Sequence, residues 1–327
     1  MISNALWKKE WKHASILIYA IFVVFLIQFP IGMGLKIEEW KEIKHEPYFF
    51  QNVEHEVYSS FSNGVFIILL VVLIIGLAAV LIGKERNSKR HDFSLALPFS
   101  RTSMFLTKMA LGLGSILFSF ILNYWIGYLM LSFSEFSYLL SYLNIFETFV
   151  IPFIGYIVLF TFAMFIGTFS GNIRSQYTLS LIFLTLPPGM NIMFHEFVNI
   201  HQLGYYHFSE HSLRLFWPVY LFGRNVESAD LLIPIIFTII FFVVGLLLFN
   251  KAPAEHSGEF IVFDFLKPIF LAGILICSIL IGGLVMSIFM PYGLAPSAKI
   301  ITYWFGGLVL ALFAWIVSKK YLGLLHR

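Results

Sequence analysis

Charge is what this sequence has least of. Only 12% of its 327 residues are Asp, Glu, Lys or Arg, whereas 59% are hydrophobic and 38 are Phe. A water-soluble domain of this length does not carry such a balance, so a soluble globular fold is excluded on composition, and no nucleic-acid partner is expected. Cysteine is nearly absent: the single Cys277 rules out an intrachain disulfide. A Gly-x-x-x-x-Gly-Lys-Ser/Thr segment is missing, so the chain has no nest of backbone amides to cradle a nucleotide's phosphates and cannot hydrolyse ATP by itself. The apolar runs also lack ionisable groups at membrane depth. Glu147 and Asp230 fall near run ends, and mid-run polarity is limited to groups such as Gln28 and Asn123. That scarcity disfavours a proton-coupled carrier and a charged-ring channel. Nothing pairs a nucleophile with a base, which argues against an intramembrane enzyme.

What is present is length of hydrocarbon. Crossing about 30 Å of bilayer takes roughly 20 apolar residues. Eight runs qualify, at 14–35, 62–83, 106–131, 146–170, 177–194, 229–249, 268–289 and 299–318. Each must satisfy its own backbone groups in lipid, so each is expected to be a helix; continuous runs rather than ten-residue alternation exclude a barrel. The expected fold is an all-α polytopic bundle of about eight spans over residues 1–327, in the cell membrane. An N-terminus inside leaves six Lys/Arg outside (Lys36, Lys41, Lys44, Arg214, Arg224, Lys299) and the other 15 within, so both termini are expected in the cytoplasm. The first run is too long for a cleaved signal and lacks an Ala-x-Ala-like site, so no cleavage is expected.

Several local features qualify this outline. Pro187-Pro188-Gly189 predicts a kink or an early end in the fifth run, while Pro30, Pro152 and Pro234 are expected nearer helix ends. Gly167-x-x-x-Gly171 suggests close helix packing. Leu6–His13, with Trp7 and Trp11 on one face among lysines, reads as an interfacial helix in the headgroup plane or as the flank of the first span. Residues 36–61 are acidic and 195–228 are His-rich. His195, His201, His207 and His211 are weak candidate metal ligands, but their spacing fits no compact zinc signature and a polar interfacial loop is the plainer reading.

The distinctive segment lies between the second and third runs. Lys84, Arg86, Lys89, Arg90, Arg101 and Lys108 face only Glu85 and Asp92 there. Phe93, Ala96 and Leu97 recur at helical spacing, Pro98 ends that helix, and Ser100 is placed to cap the next. A short stiff helix between two spans makes a lever for a soluble partner. On charge alone, the same residues read equally as a positive-inside determinant.

At these residues the chain resembles the permease subunits of ABC-2-type transporters: Gly83-x-Glu85-Arg86, then Leu95-x-Leu97-Pro98-x-Ser100-Arg101, then Lys108. Its length and the Glu255–Asp264 loop are similar to the eight-span Ytr-type permeases of Gram-positive bacteria, associated with acetoin use or cell-envelope stress. The common ABC-2 core has six spans, so its pairing geometry does not carry over to spans seven and eight. The resemblance implies a coupling loop at 84–105 that docks on a separate cytoplasmic ATP-binding cassette subunit. Glu85, Arg86, Phe93, Leu97 and Arg101 would make or brace that contact. It also implies a second permease copy or sister permease, with ATP held by the partner subunit and no cofactor in this chain. A membrane sensor or scaffold that recruits a partner without transport, and a secondary carrier, are the alternatives.

Overall fold

A computed structural model describes residues 4–45, 53–62, 64–87, 99–204, 213–223, 226–253, 255, 258–291 and 293–321. Eight of its helical segments are long and apolar enough to cross a membrane. The first is one 40-residue segment, Asn4–Ile43, made of α1 (Asn4–Leu26), a π-helical turn at Ile27–Ile31 and α2 (Gly32–Ile43). Then come α3 (Val53–Phe61), α4 (Gly64–Asn87), α5 (Arg101–Ser132), α6 (Ile151–Phe169) and α7 (Ile173–Ile200). A one-turn α8 (Val219–Phe222) precedes α9 (Leu232–Lys251), α10 (Leu266–Ile288) and α11 (Pro296–Tyr321). Among the described residues the only β pairing is a single antiparallel bridge, Ser170 with Ile261.

Lipid offers no hydrophobic drive to bring helices together, so shape and aromatic packing must do it. At the centre Phe25 of α1, Phe120 of α5 and Tyr156 of α6 meet with ring centroids 5.0–5.7 Å apart. Phe29, Tyr124 and Phe149 extend the cluster, and the Tyr124 hydroxyl lies 2.9 Å from Thr148 Oγ1. The most apolar stretch of α6 is 67% buried by protein, against 17% for α9, α10 and α11, so α6 is central and the last three helices face lipid. α10 and α11 pair through glycines. A Cβ on Gly282 would stand 2.3 Å from the Gly306 carbonyl oxygen, and one on Gly283 would enter the Tyr303 ring.

The structure decides between the readings of four local features. α7 passes through Pro187 and Pro188 as a continuous helix, so the fifth span neither ends there nor breaks. Pro30 lies inside the first span, where the π turn accommodates a residue that cannot donate: Gly32 N–H instead reaches the Ile27 and Phe29 carbonyls. Gly167 allows close helix packing, because it lies under the Gln176 side chain of α7, whereas Gly171 lies past the end of α6 under the Glu259 backbone. The Trp/Lys segment is the first part of α1 and continues into the span without a break.

Candidate functional site

One end of the bundle carries residues 84–87, 99–101, 170–172 and 258–265, and polar side chains tie several of its elements together. α4 enters it with a basic last turn, and α5 leaves it from Ser100, whose extended backbone and Oγ cap the helix by accepting from Ser103 N–H at 3.1 Å, as the sequence leads one to expect. Between them, residues 88–98 lie outside the described residues, and Phe93 and Leu97 with them. Glu85 is in the last turn of α4.

Two arginines flank that connection, and each grips the C-terminus of a different helix. The last carbonyls of an α-helix have no partner within it and carry the negative end of the helix dipole, which suits a guanidinium. Arg86 is 1% exposed, and its Nη1 donates to the carbonyls of Gly167 (2.9 Å), Thr168 (3.1 Å) and Ser170, closing the end of α6. Arg101 Nη1 donates to Asn250 (3.0 Å) and Ala252 (2.7 Å), closing α9. Thr102 and the Asn250 side chain bond alongside.

Lys108 is fully buried. Its ammonium lies 2.7 Å from Glu10 Oε2 and donates to the Leu81 carbonyl at 2.6 Å, joining α5 to α1 and α4. Two residues further along α4, Gly83 lets the backbone of α7 approach so closely that a Cβ would stand 2.7 Å from Ile173 Cα. Gln176, buried beside it, donates to the Ala163 carbonyl of α6 at 3.1 Å.

The connection before α10 completes this end. Gly258 N–H donates to Gly171 O at 2.8 Å and Val262 N–H to Phe169 O at 2.9 Å. Asn172 caps α7 by accepting from Ser175 N–H, and its amide donates to the Gly258 and Glu259 carbonyls, 3.1 Å each. Lys267 holds Glu259 at 2.8 Å and Asp264 at 2.7 Å. Ile261 and Val262, each 1% exposed, are buried beneath it.

Of the residues singled out in the sequence, Arg86 and Arg101 are thus brought to one end and spent on helix termini. Glu10 was not among them, and the Glu255–Asp264 loop was singled out for its resemblance but not for the contacts that 258–262 makes with the end of α6. Glu10 is a lone acid in a lysine-rich stretch, a signal that a buried partner was waiting, though nothing local names Lys108. The histidines stand apart from this end. His195 Nδ1 lies 3.2 Å from Asn199, and His201 uses both ring nitrogens, Nδ1 on the Phe197 carbonyl at 2.8 Å and Nε2 as acceptor from Trp304 at 2.9 Å. His207 and His211 lie outside the described residues. Among the described residues no three His, Cys, Asp or Glu side chains gather to hold a metal ion.

Comparison with known proteins places this architecture. The "ABC-2 family transporter protein" profile matches residues 6–187, a stretch that contains Glu10, Arg86, Arg101 and Lys108. The chain is similar to "Probable ABC transporter permease YtrC" of Bacillus subtilis (strain 168), 24% identical over 283 residues that cover 81% of this chain and 83% of that protein. No solved structure matches it. The chain belongs to the ABC-2 transporter family and is a multi-pass membrane permease subunit of an ATP-binding cassette transporter.

Proposed function

We propose that this permease borrows its mechanical work through the connection between α4 and α5. A soluble ATP-binding subunit docks on residues 84–105 from the cytoplasm, where both termini also lie; Phe93 and Leu97 make the contact, with Glu85 beside them, and Arg86 and Arg101 brace it. ATP binds and is hydrolysed on that partner, and this chain needs no cofactor of its own. It works beside a second copy or a sister permease, and substrate moves through the space between the two halves.

One observation supports this reading above the rest: the arginines that bracket the connection each close the end of a different helix, α6 and α9. A push on the segment between them is therefore passed to two spans at once, and Lys108 extends the path to α1 and α4. Residues that only fixed orientation would have no need to be buried on backbone carbonyls; exposed lysines serve that purpose.

The decisive test uses the chain co-expressed with its ATP-binding subunit. Phe93→Asp with Leu97→Asp is expected to abolish co-purification and transport-coupled hydrolysis while membrane insertion is retained. Unchanged partner capture by that variant would overturn the assignment of the dock. Nucleotide-free vesicles that still transport under a proton gradient would instead establish a secondary carrier.

A further inference from the structure

A groove of about 500 Å³ runs along the outside of the bundle between α1 and α5, within the size range of ligand sites. Trp11, Ile18 and Phe22 form one wall, and Ala110, Gly114 and Phe118 the other. It opens outward between Tyr19, 60% exposed, and Phe118, 63% exposed. The twelve residues from Trp11 to Phe22 rise about 16 Å, half of a roughly 30 Å hydrocarbon layer, so the groove is one leaflet deep.

The lining of the groove is largely apolar, and exposed lysines lie on α1 beside its Trp7 end. Trp7 lines it one turn before Trp11, and Tyr19 packs edge-on against Trp11 at 6.2 Å. Such amphipathic rings settle at the level of lipid headgroups. Lys8 and Lys12 each follow one of these tryptophans by a single residue, about 100° round the helix, and both are exposed. Among the described residues neither forms an ion pair, whereas neighbouring Lys9 lies 3.8 Å from Glu10. Two exposed cations therefore lie on α1 beside the Trp7 end of a chain-length apolar slot.

We propose that this groove is a binding site for one anionic glycerophospholipid. An acyl chain lies along Ala110, Gly114 and Phe118, the phosphate meets Lys8 and Lys12, and Trp7 and Trp11 mark the ester level. The occupant is lipid rather than a peptide because the slot faces the bilayer, ends at mid-membrane and offers almost no polar surface to satisfy a backbone. Two lysines at the headgroup favour an anionic over a zwitterionic lipid by about tenfold or more. The site is independent of the coupling proposal.

Gly114 provides a clean test, because it lines the slot and a Cβ there meets no atom within 4 Å, so Gly114→Leu puts a side chain into the slot. The purified full-length chain is delipidated in detergent and titrated by native mass spectrometry with phosphatidylglycerol or phosphatidylcholine of the same acyl chains. The wild type is expected to bind one phosphatidylglycerol about tenfold more tightly. Lys8→Gln with Lys12→Gln should erase the difference between the two lipids, and Gly114→Leu should weaken both. Ala110→Leu, which enters the same slot, replaces Gly114→Leu if the latter lowers the melting temperature. Equal affinity for the two lipids in the wild type, or phosphatidylglycerol binding unchanged by filling the slot, would overturn the proposal.

Discussion

Lys108 and Glu10 lie in helices 98 residues apart in sequence, both nearly sealed from solvent and 2.7 Å from each other. Removing one member strands the other's charge in a low-dielectric interior, at a cost of about 3–5 kcal/mol, whereas replacing both with apolar groups of similar size costs far less. Lys108→Met should therefore lower the thermal midpoint of the purified protein sharply, and the Glu10→Leu, Lys108→Met double variant should recover most of the loss. Gly83 makes a second prediction. Gly83→Ala puts a methyl against the backbone of α7 with no flexible side chain to yield, and should destabilise by about 1–3 kcal/mol in the same assay. At this scale the sequence was partly readable. Ser100 announced itself as a cap because capping is local, and the arginines advertised a basic segment. Their actual acceptors, the ends of α6 and α9, lie about 80 and 150 residues away and leave no mark in local spacing.

Among the elements, helix existence was legible and helix continuity was not. Each apolar run became a helix because hydrocarbon permits nothing else, and half of them extend beyond the run by a turn or more. Of the two outcomes expected at Pro187 and Pro188, the early end is excluded, because α7 runs on past both. The α10–α11 pair likewise depends on close backbone approach rather than on large apolar side chains. Gly283→Leu should force Tyr303 out of its place and separate the two helices. A lower thermal midpoint of the purified protein, not shared by Gly273→Leu, where a Cβ meets nothing within 4 Å, would register that separation.

For the molecule as a whole, span number followed from counting residues, while the division into a packed centre and a lipid-facing periphery required the structure. α10 and α11 touch the rest chiefly through α7, and the surface they would uncover is apolar and already compatible with lipid. A chain cut after Phe265, which keeps the 258–262 segment under α6, should still insert and retain a cooperative thermal transition. Collapse of that transition would place the last two helices inside the essential core.

The opening segment has a consequence at the same scale. Forty residues of unbroken helix from Asn4 to Ile43 span about 60 Å, roughly twice the hydrocarbon thickness. A rod of that length reaches both aqueous compartments, anchored by Glu10 at one level and by Lys36, held by Glu39 and Glu56, at the other. Rotation imposed at one extremity must arrive at the far one, and the widened turn at Pro30 is where such a rod would relinquish torque.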